Sequence, residues 1–399
     1  MSIKSIKRFI RRNLLSERTA EKIRKMRYVT ALHLGRTFAF APGKVVFSSF
    51  SGRSYSDNPR CISEMLHKMC PKAEIVWLIG KPDEWRSKVP DYVRLVPRYS
   101  PKAAFELGSA RVWVDNFTQL NYLRPKKGKQ FYMQTWHGDR AFKKIGYDND
   151  VQEKYRLEYR IEEECDVFLS GSDFGEKMFG TAFRYHGPFL KNGAPRNDIL
   201  VRNDPAEIAA VKAKLGIDPA IKLLLYAPTY RETTTVIPKE AQMDLLRTLQ
   251  HLEKTTGDKW MCLYRAHYLS TGIDLDSVQD RLIDMTRHDD MSELLLIADI
   301  LLTDYSSSAM DYCVMDRPVL LFQSDIEDYL AHREMYFDMK DTPFFVAMDQ
   351  NELERLITDM TPGKAAENCR AIRDYFGICE NGRATEEACK YIINKLTLK

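Results

Sequence analysis

The chain has 399 residues, of which 29% are charged and 44% hydrophobic, and its formal net charge is +4. That length suits two domains of roughly 150 to 200 residues better than a single core. No run of about 18 uncharged apolar residues is present, so no membrane-spanning helix is predicted. The eight cysteines are scattered without a Cys-x-x-Cys pair, which indicates neither a zinc site nor a secreted disulfide framework and fits a reducing cytoplasm.

The first 27 residues are strongly basic, with ten Lys and Arg against Glu17 and Glu21, a net charge of +8. On a helical wheel their apolar residues share one side and their cations the other. Such a helix can lie on an anionic membrane surface, and we predict this contact. Packing against its own domain and binding to nucleic acid are the alternatives. The segment lacks the apolar core and cleavage site of a signal peptide, so its removal is not expected.

Short apolar segments then alternate with helix-like stretches, which predicts parallel sheets covered on both faces. The first series of predicted strands is at 45–50, 75–79, 93–96, 112–114, 131–133 and 167–169. A second series follows a turn-rich region, at 223–226, 261–264, 282–285, 300–303, 319–322 and 344–347. Two Rossmann-like halves are the economical interpretation. The chain has neither a Walker A motif nor a Gly-x-Gly-x-x-Gly fingerprint, which disfavours nucleoside triphosphatases and nicotinamide enzymes.

We therefore predict an α/β protein with two Rossmann-like domains facing a cleft. The expected regions are a basic amphipathic leader at 1–40, an N-terminal domain at 41–190, a C-terminal domain at 191–375 and a helical end at 376–399. The sequence allows the helical end to pack back on the N-terminal domain.

The segment at 134–146 places His137 just past the carboxyl end of a predicted strand, where open α/β sheets bind their ligands. A histidine beside a flexible turn can remove a proton from a substrate, and cations that follow can bind phosphate. A structural histidine at the edge of the core, with solvated lysines, is the ordinary alternative. The candidate residues of this segment are Trp136, His137, Gly138, Lys143 and Lys144.

Three strand ends of the second half carry side chains suited to an anion. They provide Thr229 and Arg231 after the first strand, Arg265 and His267 after the second, and Thr303, Asp304, Ser306 and Ser307 after the strand at 300–303. Arginine matches the geometry of phosphate oxygens, and a helix start offers free N–H groups. Singly, each has an ordinary explanation as a solvated arginine, a structural histidine or a helix cap. Together they predict a nucleoside diphosphate whose β-phosphate points at His137.

Several motifs, in the same order, resemble those of the CDP-glycerol glycerophosphotransferases, the family of teichoic acid primases and polymerases. They lie at 48–59, 136–138 with 143–146, 193–198, 226–229, 265–267, 303–307 and 336–338. The resemblance implies a GT-B architecture, with the acceptor site in the N-terminal half and a CDP-alcohol site in the C-terminal half. It implies neither a metal nor a cofactor.

The resemblance further implies transfer of glycerol phosphate from CDP-glycerol, or a related CDP-alcohol, to a polyprenyl-diphosphate-linked saccharide acceptor. Such an enzyme would be peripheral, at the cytoplasmic face of the bacterial membrane. Both motif histidines are needed in that family, which makes His137 and His267 the expected catalytic residues; the other candidates would bind substrate. Three alternatives stay open: CDP-ribitol or another CDP-polyol in teichoic acid or capsule synthesis, a GT-B glycosyltransferase that uses a nucleotide sugar, and a basic scaffold without activity.

One departure from the family pattern lies beside the expected base. The family usually continues Trp-His-Gly with Thr-Pro, whereas this chain has Asp139 and Arg140. The change introduces an extra ion pair or an acceptor contact, so we expect these residues to affect which acceptor is used.

Overall fold

The structure is a computed structural model that describes residues 17–119, 122–149, 160–229, 243–266 and 276–397. Two compact units can be distinguished among these residues. Unit 1 comprises the described residues of Met1–Trp136, Arg160–Phe168 and Ala388–Lys399, and unit 2 comprises those of His137–Tyr159 and Leu169–Glu387. The domain boundaries expected near residues 40, 190 and 375 stay predictions, because a compact unit is not the same thing as a sequence domain.

The first sheet has the strand order β3-β2-β1-β4-β5-β6-β7. Its strands are β1 (Ala41–Ser48), β2 (Glu74–Ile79), β3 (Arg94–Pro97), β4 (Ala110–Asp115), β5 (Phe131–Gln134), β6 (Val167–Ser170) and β7 (Phe189–Lys191). The pairings from β3 through β6 are parallel. The six predicted strands are confirmed. Strand β7 was not predicted, because three partly exposed residues give too short a pattern to recognise.

The second sheet has the order β10-β9-β8-β11-β12-β13, and all its pairings are parallel. Its strands are β8 (Lys222–Ala227), β9 (Trp260–Tyr264), β10 (Leu282–Asp284), β11 (Ile300–Thr303), β12 (Val319–Phe322) and β13 (Phe345–Ala347). All six were predicted. Continuous apolar runs identified them because a parallel sheet covered by helices buries both faces of its strands.

Helices connect the strands of both sheets. The helices that begin in unit 1 are α1 (Glu17–Phe38), α2 (Asp57–Met69), α3 (Pro82–Trp85), α4 (Pro101–Ser109) and α5 (Ile161–Glu164). Those that begin in unit 2 are α6 (Asp173–Ala182), α7 (Asp198–Arg202), α8 (Pro205–Lys214), α9 (Leu245–Thr256), α10 (Met291–Ile297), α11 (Ser308–Tyr312), α12 (Ile326–His332), α13 (Gln350–Asp359), α14 (Pro362–Phe376) and α15 (Ala384–Ile393). None of the helices in these described ranges is long and apolar enough to cross a membrane.

The end of the chain contributes to the packing of unit 1. The Cys389 thiol lies 3.3 Å from the carbonyl oxygen of Ile62. The carbonyl of Lys395 accepts a hydrogen bond from Nε of Arg111 at 2.8 Å. Residues 388–397 therefore complete unit 1, although they are far in sequence from the rest of it.

Helices α1 and α4 pack with their backbones in close contact. A Cβ on Gly108 would lie 2.0 Å from the carbonyl oxygen of Leu32, and one on Gly35 would lie 2.3 Å from that of Phe105. Only glycine therefore fits at these two positions. Tyr28 and Leu32 are buried in the same unit, so this part of α1 belongs to the core of unit 1.

Replacing Gly108 by alanine should lower the free energy of unfolding by at least about 2 kcal/mol, because backbone must move to admit the methyl group. The matched control is Gly363→Ala in α14, where a Cβ would meet nothing closer than 4.0 Å. The control should be neutral or slightly stabilising, since alanine is the better helix former. A urea titration measures both variants, and equal stabilities would contradict the described packing.

Candidate active site

The second sheet changes its strand order between β8 and β11, and the predicted anion-binding loops leave the sheet at this switch point. Ala227 and Thr303, at the ends of these strands, are partners in register. The Thr303 hydroxyl donates a hydrogen bond to the Ala227 carbonyl oxygen, 2.7 Å away, and Thr303 has no exposed surface. The two loops therefore begin side by side, where open α/β sheets bind ligands.

Asp304 connects these two loops. Its carboxylate oxygens lie 2.9 and 3.0 Å from the backbone nitrogen of Thr229, and one of them accepts the N–H of Tyr305 at 2.6 Å. Its carbonyl oxygen accepts a hydrogen bond from the Gln323 amide at 2.8 Å. These contacts make Asp304 an organiser of both loops. Substrate binding by Thr229, Thr303 and Asp304 stays a prediction.

Ser306, Ser307 and Ser308 form a turn into α11, which we call the serine turn. The hydroxyls of Ser306 and Ser308 lie 2.9 Å apart, and the Ser308 N–H donates to Ser306 Oγ at 3.3 Å. The side chain of Ser307, the N-cap residue, makes no capping hydrogen bond. Because α11 has only five residues, any affinity for an anion must come from the hydroxyl and N–H groups of the turn more than from a helix dipole.

Gly138 lies next to the serine turn. A Cβ on Gly138 would be 3.6 Å from Oγ of Ser307 and 3.6 Å from Nη2 of Arg196. Its φ of +152° is one that L side chains rarely adopt, which favours glycine here. His137, the residue before it, is half-buried. Two segments that were predicted separately thus meet within unit 2.

Trp136 has a left-handed backbone conformation, with φ of +45°, that is strained for a residue other than glycine. Such strain costs about 1–3 kcal/mol and persists only where the surroundings enforce it. Within unit 1 its ring stacks on Phe117, its N–H donates to Gln134 Oε1 at 2.9 Å, and its carbonyl accepts from Thr135 Oγ1 at 3.0 Å and Asn58 Nδ2 at 3.1 Å. The backbone that leads into His137 is therefore tightly constrained.

Asn58 belongs to the motif at 48–59, which follows β1. Asn116, just after β4, binds this loop. Its Oδ1 accepts the N–H of Phe50 at 2.7 Å, and its Nδ2 donates to Asp57 Oδ1 at 3.1 Å. Phe50 and Asp57 have φ values of +45° and +63°. The motif thus forms a strained connection into the first turn of α2, where the Asn58 amide donates to the carbonyl of Trp136.

Asp139 and Arg140 are buried, with 6% and 1% of their surfaces exposed. Nε of Arg140 donates to Asp139 Oδ1 at 2.7 Å, and Nη2 lies 2.5 Å from Glu380 Oε1. The other oxygen of Asp139 accepts from the Gly171 N–H at 2.6 Å and the Ser172 hydroxyl at 3.0 Å. Of the two expectations for these residues, the structure shows the ion pair. Their effect on the choice of acceptor stays a prediction.

Lys143 and Lys144 lie in an extended segment. Lys143 forms an isolated antiparallel bridge with Met335, and its Nζ is 5.8 Å from the ring of Tyr329. Nζ of Lys144 lies 3.1 Å from the carboxylate of Glu334, in a partly exposed pair. Such a pair contributes about 1 kcal/mol at most, so it would not prevent Lys144 from binding another anion. Acceptor binding by the two lysines stays a prediction.

Arg265, directly after β9, is partly buried. Its Nη1 has no hydrogen-bond partner among the described residues. Burial lowers the pKa of the guanidinium, although Asp290 and Asp289 oppose that shift. A buried N–H group without a partner is costly, and an anionic group of a substrate would satisfy it. His267 and Arg231 lie outside the described residues, so their roles stay predictions.

The sequence analysis missed several polar residues near the Gly138 turn, namely Arg196, Asn197, Asp311 and Glu380. Arg196 and Asn197 belong to the motif at 193–198, to which no function was assigned, so a signal for them was present. No sequence pattern marked Asp311 or Glu380 as a buried residue, because a lone carboxylate in a helical or turn region is normally solvated.

The two parallel sheets, with their polar loops at the carboxyl ends of the strands, define a protein of the GT-B-like class, built from Rossmann-like domains. The chain belongs to the CDP-glycerol:poly(glycerophosphate) glycerophosphotransferase family, whose model matches residues 29–394. The predicted family and fold class are confirmed. The basic N-terminal helix stays a prediction, because its first part lies outside the described residues.

Named relatives agree with this assignment. A teichoic acid poly(glycerol phosphate) polymerase of Bacillus spizizenii is 30% identical over 88% of this chain and 91% of its own. One of Staphylococcus epidermidis is 33% identical over 86% of this chain, which spans only 50% of that relative. The solved wall teichoic acid polymerase TagF is 28% identical with a TM-score of 0.82, over 99% of this chain and 98% of its own. Relatives named for ribitol phosphate are more distant, at 24–25% identity.

Proposed function

We propose that this chain transfers glycerol phosphate from CDP-glycerol to a hydroxyl group of a membrane-lipid-linked saccharide acceptor in teichoic acid synthesis, with release of CMP. Family membership supports the reaction class. One structural observation carries the proposal: Gly138 lies beside Ser307, since a Cβ on Gly138 would be only 3.6 Å from the Ser307 hydroxyl oxygen. The turn that contains His137 is therefore next to the loops at the carboxyl ends of the second sheet, where a nucleotide donor is expected.

In the proposed reaction, the acceptor hydroxyl oxygen forms a bond to the β-phosphorus of CDP-glycerol. The bond between that phosphorus and the bridging oxygen breaks, and CMP departs with the bridging oxygen. His137 accepts the hydroxyl proton as the new bond forms. A positioned general base of this kind contributes roughly 10²- to 10⁴-fold to the rate.

The donor diphosphate is proposed to lie between Arg265, His267 and the serine turn. Donor groups fixed in a site from which water is excluded stabilise charge that develops on a transferring phosphoryl group. The buried N–H group of Arg265, which has no partner among the described residues, supports this arrangement. Thr229 and Arg231 are further candidates on the donor side, and Lys143 and Lys144 on the acceptor side.

A second candidate donor is CDP-ribitol, because relatives named for ribitol phosphate share the family at lower identity. Both donors carry the same CDP group, so the polyol alone distinguishes them. We expect kcat/KM for CMP release to be at least about tenfold higher with CDP-glycerol, which corresponds to 1.4 kcal/mol of discrimination. The assay compares the two donors with one lipid-linked disaccharide acceptor. A preference for CDP-ribitol would reassign the donor.

Replacing His137 by alanine should lower kcat for CMP release by roughly 10²- to 10⁴-fold, because the acceptor hydroxyl loses its base. His137→Asn, which keeps a polar side chain but cannot accept the proton, should be equally impaired. The control is His186→Ala, which changes an exposed histidine of the same unit and should retain wild-type activity. Full activity of either His137 variant in folded protein would exclude His137 as the base.

We also propose peripheral binding to the cytoplasmic face of the membrane through the basic N-terminal region. Helix α1 is exposed along one side, opposite Leu32. The apolar side chains on that side are Ile23, Met26, Leu34 and Phe38, between 40% and 79% exposed. Several exposed cations of the helix flank them. Apolar side chains inserted between anionic headgroups, with cations beside them, provide the affinity of an interfacial helix.

Replacing both Met26 and Phe38 by glutamate should weaken binding to phosphatidylglycerol vesicles at least about tenfold, since each change removes an insertable side chain and adds repulsion. Cosedimentation measures the binding. Tyr375→Glu, which alters an aromatic residue of α14 that is 50% exposed, is the control. A chain that begins at Glu17 tests the contribution of the residues before it. Unchanged binding by the double variant and the shortened chain would exclude this membrane contact.

A further inference from the structure

A cluster of buried polar residues surrounds the Gly138 turn, and we call it the ion network. Its members are Asp139, Arg140, Arg196, Asn197, Asp311 and Glu380. The first five residues are at most 8% exposed, and the side chain of Glu380 is 1% exposed. All six belong to unit 2. With every group ionised, the network contains two cations and three carboxylates. Burying so many charges is costly unless each one is paired, so the network requires a physical explanation.

Arg140 is the centre of the network. Its Nη2 lies 2.5 Å from Glu380 Oε1 and 3.3 Å from Asp311 Oδ1, and its Nε donates to Asp139. Burial opposes the charged form of Arg140, but the three carboxylates outweigh it and raise its pKa. The guanidinium therefore stays ionised, and it is attached to the chain only two residues after Gly138.

Asp311 links Arg140 to the serine turn. It lies on α11, four residues after Ser307. One oxygen accepts from Arg196 Nη2 at 2.9 Å, and the other accepts from Asn197 Nδ2 at 2.8 Å. Burial favours the neutral acid, but Arg196 and Arg140 outweigh it and hold the pKa of Asp311 below its usual range. A shift of α11 would break these contacts, so the serine turn cannot move without disturbing Arg140.

Glu380 provides the second anchor. Its Oε2 accepts the N–H of Ala194 at 2.9 Å, and its Oε1 accepts from Asn197 Nδ2 at 2.9 Å beside Arg140. It follows α14, and the adjacent Cys379 N–H donates to the Gly171 carbonyl at 2.8 Å. Glu380 thereby fixes the loop that contains Asn197 relative to Arg140.

We propose that Arg140, anchored by Asp311 and Glu380, is a positioning residue that sets the distance between the His137–Gly138 turn and the serine turn. The proposal rests on the proposed function, because that function places the base on one turn and the donor phosphate on the other. All three residues are buried, so they act through Gly138 and Ser307. Apolar residues of similar volume often stabilise a fold as well as buried ion pairs do, so we attribute the network to the single geometry that its paired charges specify.

The test uses a double variant, Arg140→Met with Glu380→Gln. It removes one positive and one negative charge, so the net charge of the ion network is unchanged. Methionine replaces part of the buried volume, and glutamine keeps an oxygen for the Ala194 N–H. Arg140→Lys is the conservative variant, because an ammonium group can still reach one carboxylate. The matched control is Arg202→Met with Glu207→Gln, an Arg–Glu pair of unit 2 in which both side chains are partly exposed.

In the double variant we expect kcat for CMP release from CDP-glycerol to fall about 30- to 100-fold, because a small misplacement of reacting groups has effects of that size. KM for CDP-glycerol should change less than about threefold, since the donor loops themselves are intact. Arg140→Lys should recover kcat to within about tenfold of wild type, and the control pair should match wild type.

A folded double variant with wild-type kcat would overturn the proposal. A lower melting temperature with unchanged kcat would overturn it as well, because that result is expected if the ion pair only stabilises the fold. If the wild-type chain itself releases no CMP, the proposed function fails, and backbone hydrogen exchange then decides about Arg140. Exchange in the double variant should rise together at residues 138–142 and 306–311. A rise confined to 138–142 would overturn the positioning role.

Discussion

The arrangement of the unit 2 loops depends on the hydrogen bonds and ion pairs that the buried carboxylate of Asp311 makes. It accepts hydrogen bonds from Arg196 and Asn197 and lies within 3.3 Å of Arg140. Removing one partner of such a buried pair typically costs about 3–5 kcal/mol, a large share of the 5–15 kcal/mol that stabilises a domain. The loop that contains Arg196, helix α11 and the turn at Gly138 therefore keep one mutual arrangement.

Both sheets use polar side chains at their carboxyl ends to orient backbone. In unit 2, Asp304 accepts the N–H of Thr229, and in unit 1 Asn116 binds the strained loop after β1. Each contact fixes the direction in which a loop leaves its sheet. The strain at Trp136 has the same basis, because stacking and hydrogen bonds enforce a backbone conformation that the residue would otherwise avoid. Rigid strands with constrained loops are what a site for phosphoryl transfer needs, since such catalysis depends mainly on positioning and fixed electrostatics.

Asp139 and Arg140, which depart from the family pattern, are buried beneath the candidate site and not exposed in it. Both side chains are buried, and their partners are carboxylates, a backbone N–H and a hydroxyl of unit 2. Burial separates them from any acceptor that reaches His137, so an influence on the acceptor has to pass through the conformation of the turn. We therefore propose that this pair acts on the reaction through the position of the turn.

The sequence by itself determined the strands, the family and the motif residues. Buried parallel strands appear as continuous apolar runs, and the residue types of the His137 segment and the serine turn have few other uses when they occur together. β7 was too short to recognise, and the ion network was beyond the reach of sequence patterns. Arg140 and Glu380 are 240 positions apart, and Arg196 and Asp311 are 115 apart. Nothing local distinguishes a carboxylate that will be buried from one that will be solvated. Only the tertiary structure decided which charges meet. The pairing of charges depends on which distant segments folding brings together, whereas the apolar periodicity that predicts strands and helices depends on residues close in sequence.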